Sequence, residues 1–75
     1  MNYREIAKVL LGEHPQTIAI ALTRIPAAQA GEILKLLPSF MQADLLTRIS
    51  QIDELPQEVV EEVDGLMTEL INRFG

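Results

Sequence analysis

Apolar residues recur along this chain at helical spacing from end to end, no alternating strand pattern interrupts them, and prolines punctuate the series at positions 15, 26, 38 and 56. The pattern predicts an all-α chain of about five helices, each opened by a proline or a cap. The first runs from about Asn2 to Leu11, with Asn2 as N-cap, Glu5 as its capping-box partner, and Ile6, Val9 and Leu10 facing inward. A second, from Pro15 to Ile25, turns Ile18, Leu22 and Ile25 to the core. The third starts after Pro26 and carries Ala30, Ile33, Leu34 and Leu37 at i, i+3, i+4 and i+7. A fourth begins at Pro38 or Ser39, aligns Met41, Leu45, Ile49 and Ile52, and ends near Gln51 or Asp53.

The last segment, Pro56 to Phe74, is the longest and most regular. At 100° per residue, Val59, Val60, Val63, Leu66, Met67, Leu70, Ile71 and Phe74 fall within an arc of about 140°. An arc so wide is hard to cover with short partners, so part of it is expected to meet a second copy or a neighbouring domain. Gly65 lies on the polar side and lowers helix propensity by about 1 kcal/mol relative to alanine. Leu-Pro breaks and an echo between Leu22-Thr23-Arg24-Ile25 and Leu46-Thr47-Arg48-Ile49 suggest solenoid-like stacking. The proline spacing is nevertheless too short for a full helix-pair repeat.

One polar run falls outside this scheme of burial. Glu13-His14-Pro15-Gln16 follows Gly12 and separates the first two apolar segments. Gly12 suits a left-handed residue closing the first helix, and Pro15 suits the first turn of the next. His14 precedes proline and is therefore driven toward the extended backbone of an N-cap, where a ring nitrogen can accept a backbone N–H. The run is thus expected to be stiff, at a helix N-terminus with unpaired backbone donors beside it.

Composition narrows the function classes. Seventy-five residues make one domain, and a chain of this size buries only roughly 60% of its unfolded surface. There is no cysteine, so neither a disulfide framework nor a thiolate metal site is available. Six basic against eleven acidic residues give a net charge of −5, which disfavours nucleic acid or an anionic membrane as partner. No apolar run approaches the ~20 residues a bilayer span needs, and no signal peptide is visible, so a cytoplasmic protein is expected. The single histidine lacks the further ligands of a zinc site, and no nucleophile–base pair or phosphate loop is present, so no cofactor and no enzymatic activity are expected. Glu58, Glu61, Glu62 and Asp64 read as a solvated helix face without a calcium-loop pattern.

With the helices placed, Glu13-His14-Pro15-Gln16-Thr17-Ile18-Ala19, Leu22, Ile25-Pro26, Ile33-Leu34, Leu37-Pro38, Gln42-Ala43-Asp44 and Arg48-Ile49 resemble the middle domain of FliG, the flagellar motor switch protein. The resemblance runs from about Val9 to about Ile71. It implies a compact armadillo-like array of short helices, ending here in the longer amphipathic one. It also implies that the tetrapeptide and a later arginine bind the switch protein FliM through a glycine-rich loop. All five positions are matched, by Glu13, His14, Pro15, Gln16 and, in Thr47-Arg48-Ile49, Arg48. Ile18, Phe40 and Met41 are the apolar neighbours expected to add contact area.

Residues 1–75 are thus expected to form a single protein-binding domain of the motor's C-ring, at the cytoplasmic face of the basal body, contributing to rotor assembly and rotation switching. The family's membrane-anchoring and stator-facing domains do not lie in this stretch, which suits an excised domain or a short stand-alone relative. In isolation the chain is expected to be capable of homodimerising through apolar surface that otherwise meets an adjacent domain. Independently of FliM, Arg48 has a local partner in Asp44, four residues earlier in the favourable acid-before-base order. The same Leu-Pro punctuation is also similar to the cytosolic helical domain of MgtE-type magnesium channels, which would sense the cation through acidic side chains and would not need the tetrapeptide.

Overall fold

The computed structural model describes all 75 residues, as α1 (Tyr3–Leu11), α2 (Pro15–Thr23), α3 (Ala27–Leu36), α4 (Ser39–Ser50), a 3-10 turn at Ile52–Glu54, and α5 (Gln57–Phe74). There is no strand; the fold is all-α and armadillo-like. Helix α2 is its centre and packs against α3, α4 and α5, while α1 bridges α3 and α5.

Proline works at two different positions. Pro15 is the first helical residue of α2. Pro26, Pro38 and Pro56 instead stand one step earlier, as N-cap residues with ψ of 142°, 137° and 138°, outside their helices. Their extended backbone stops the preceding chain, and their carbonyls accept the first helical N–H groups, including those of Ala30, Met41 and Val60. A residue that contributes only its carbonyl to the ladder loses nothing by lacking an N–H.

The caps of α1 depart from expectation in two ways. Gly12 has φ −80° and ψ −5°, a right-handed conformation, because the helix closes by tightening its last turn. Gly12 N–H donates to Val9 and Glu13 N–H to Leu10. No left-handed residue is required. Asn2 does cap α1, its Oδ1 accepting from Glu5 N–H at 3.2 Å. The other half of the expected capping box is absent, since Asn2 N–H donates to the Phe74 carbonyl at 2.6 Å and the Glu5 carboxylate lies 4.0 Å from Lys8. An orphan donor opening α1 thereby satisfies an orphan acceptor closing α5, and joins the two ends of the chain.

The core consists of fifteen buried residues, all apolar. Ile18, Ala19, Ile20, Ala21 and Leu22 are consecutive and each at most 3% exposed, so α2 is enclosed on every side. The one-sided burial expected from Ile18, Leu22 and Ile25 was too narrow. Four of these residues are alanine or β-branched isoleucine of modest bulk, which lets neighbouring helices approach from several directions. Helix α5 packs in cis on α1 and α2 through Val63, Met67 and Leu70, so most of its wide apolar arc is covered within the chain. Val59 remains 39% exposed at its margin. A half-exposed ion pair, Arg24 to Asp64 at 3.3 Å, ties the end of α2 to α5.

Leu45 is the one fully buried residue of α4. Leu45→Ala is expected to destabilise the domain by about 2–5 kcal/mol in urea titration, whereas the exposed neighbour change Leu46→Ala should stay within about 0.5 kcal/mol.

Candidate functional site

The polar junction between α1 and α2 adopts a single, tightly specified shape. His14 has φ −60° and ψ 142°, the extended backbone that a following proline favours, and serves as the N-cap of α2. Its Nδ1 accepts the Gln16 N–H at 3.0 Å. In the neutral ring the proton is therefore on Nε2, which makes that atom a donor. Its carbonyl accepts from Ile18 N–H. Pro15 has no N–H, so Thr17 is left with the one first-turn N–H that has no partner in the chain. The several free donors expected here reduce to that one. Glu13 and His14 are exposed, and Pro15 and Gln16 half-buried.

Arg48 arrives from the far end of α4. Its Nη1 donates to Gln16 Oε1 at 3.0 Å, and its Nε donates to Asp44 Oδ2 at 3.0 Å. The packing of α4 on α2 thus brings together residues 32 positions apart. Gln16 is the hinge of the arrangement, since its backbone closes the His14 cap and its side chain receives the arginine. Of the guanidinium's five N–H groups two are engaged, leaving three to meet a ligand. Of the five residues expected from the resemblance, Glu13 and His14 lie at the α1–α2 junction, Pro15 and Gln16 on α2, and Arg48 on α4. The Gln16–Arg48 bond joins two of them, and the cap joins His14 to Gln16.

Asp44 was expected as a local partner of Arg48 and is one; the structure adds that it fixes the rotation of the guanidinium while Gln16 takes an adjacent nitrogen. Ile18 is fully buried and cannot offer contact area, because it lies on the enclosed stretch of α2. Met41 is half-buried, and Phe40 is open to solvent.

No group of three or more His, Asp or Glu side chains converges to hold a metal ion, and the acids of α5 are strung along its length. No helix is long and apolar enough to cross a membrane. A separate apolar groove of about 350 Å³ opens between α2, α3 and α4, lined by Leu22, Ile25, Ala30, Leu34, Leu46 and Ile49. The tetrapeptide and Arg48 present hydrogen-bond donors, a carboxylate and a rigid proline on a fixed backbone.

Residues 3–75 match the family model described as the FliG middle domain. The chain is 34% identical over 70 residues to the flagellar motor switch protein FliG of Thermotoga maritima, covering 93% of the chain and 21% of that protein. It is 31% identical over 75 residues to FliG of Aquifex aeolicus, covering 100% and 23%. For FliG of Helicobacter pylori the figures are 33% over 64 residues, 85% and 19%. The chain therefore spans about a fifth of the length of these curated relatives. No solved structure matches it.

The direct bond between Gln16 and Arg48 predicts energetic coupling. A double-mutant cycle of Gln16→Ala and Arg48→Ala, followed by urea unfolding, should give a coupling of about 0.5–1.5 kcal/mol; additivity within about 0.3 kcal/mol would mean that the two side chains do not act together.

Proposed function

The chain belongs to the FliG middle-domain family, and from that membership we propose that it is a protein-binding module of the flagellar switch that docks FliM through Glu13, His14, Pro15, Gln16 and Arg48. The observation that carries the proposal is the 3.0 Å bond from Arg48 to Gln16, which makes one continuous surface of a tetrapeptide and a distant arginine.

The chemistry suits a loop of exposed backbone. The three remaining N–H groups of Arg48 can donate to partner carbonyls, and glycine in the partner loop lets those carbonyls come close. Neutral His14 offers Nε2–H, and Glu13 offers a carboxylate to partner N–H groups. Pro15 holds the intervening backbone in place, so little conformational freedom is lost on binding. A partner held here is coupled to the enclosed helix α2 through its first turn. That connection supports a part in C-ring assembly and rotation switching, at the cytoplasmic face of the basal body.

The apolar groove between α2, α3 and α4 is the face best suited to a neighbouring FliG domain or a second copy. It takes over the role that the sequence pattern pointed to on α5, whose apolar arc is mostly covered in cis.

Isothermal titration with the FliM middle domain tests the assignment. His14→Ala and Arg48→Ala are each expected to weaken binding by roughly tenfold or more, in line with loss of a centrally placed contact, with circular dichroism unchanged. Parent-like binding by both folded variants would show that this surface is not the docking site.

A further inference from the structure

The most exposed large apolar side chain of the molecule is Phe40, at 84%, well above Leu46 at 54% and Leu11 at 49%. It does nothing visible for the fold. It sits in the first turn of α4, whose start Pro38 already sets, and at 100° per residue it points about 180° away from Ile49, which packs against the core. Its position relative to the site is more informative. Phe40, Asp44 and Arg48 occupy successive i, i+4 and i+8 positions and so form one ridge along α4, each about 40° around the helix from the last. Asp44 is bonded to Arg48 at 3.0 Å, which makes the polar part of the ridge continuous. From Phe40 to Arg48 the ridge is about 12 Å long, at 1.5 Å per residue.

We infer that the docking surface continues from the α2 N-terminus along this ridge, and that the ring of Phe40 inserts into an apolar socket of the same partner that engages Arg48. The inference rests on the reading of the five-residue site as a protein-docking surface, and it adds a second requirement on that partner. Beside the loop whose carbonyls meet Arg48, and about 12 Å from it along the ridge, the partner presents a cavity wide enough for a benzyl group. Aromatic side chains with a socket to fill are the common anchors of protein interfaces, and a ring that the free protein leaves in water gains most from entering one. The polar end then sets register and the apolar end supplies affinity.

The test is a titration of the FliM middle domain against the parent and against Phe40→Ala, Phe40→Leu, His14→Ala and Arg48→Ala, with the unfolding midpoint of each. Because the ring is 84% exposed, Phe40→Ala should leave the midpoint unchanged while weakening binding roughly 30-fold, and Phe40→Leu should recover part of the loss. If Phe40→Ala binds like the parent while His14→Ala and Arg48→Ala are weakened, the ridge is not part of the interface and the five-residue site stands without it. If Phe40→Ala alone weakens binding, the ring is an anchor elsewhere and the proposed continuity is wrong. If the parent does not bind, or none of the variants differs from it, both readings fall.

Discussion

Helix α2 has no solvent face along its middle, and the rest of the domain is arranged around that constraint. Ile18 through Leu22 are buried in an unbroken run, which requires helices on several sides; α3, α4 and α5 supply them. A helix enclosed in this way can carry polar chemistry only at its ends. At one end stand Pro15, Gln16 and Thr17 behind the His14 cap, and at the other Thr23 and Arg24, the latter tied to Asp64 of α5. The polar tetrapeptide thus stands at one of the two ends of α2 where polar groups remain in water. The same enclosure holds the site's backbone still, since the first turn of α2 cannot move without disturbing the most heavily packed residues of the domain.

The hydrogen bonds that finish the site are individually modest. The His14 cap is exposed, the Arg48–Asp44 pair is about one-third and one-half exposed, and pairs of this kind contribute about 0–1 kcal/mol to stability. Their significance is geometric. Gln16 receives from Arg48 and donates through its backbone to His14, so one residue sets the positions of two others. Asp44 offsets the charge of Arg48, and what the surface offers a partner is a set of directed donors more than a net positive field. The chain as a whole carries a charge of −5, which gives no long-range attraction toward an anionic partner.

Similar economy governs the helix ends. Three helices begin with a proline as cap and no side-chain cap bond at all, and α1 and α5 satisfy one another through Asn2 and Phe74. A small domain with no disulfide and no buried polar side chain has to be stabilised by its apolar core and by closing its backbone groups in this way.

The sequence by itself determined the helices, their boundaries to within about two residues, the inward positions of α1, α3 and α5, the His14 cap and the Asp44–Arg48 pair. All of these are local: they follow from proline placement, apolar spacing, and partners at most four residues apart. Family resemblance named the five site residues, but no local signal says that Gln16 and Arg48 touch, since that bond spans 32 positions and depends on how α4 lies across α2. The tertiary structure alone decided that α2 is buried all round, that α5 folds back in cis, that Gly12 stays right-handed, and that the Asn2 N–H donates to the Phe74 carbonyl and not to the Glu5 side chain. In each case two alternatives were locally equivalent, and the one adopted depends on which distant group packing brings within reach.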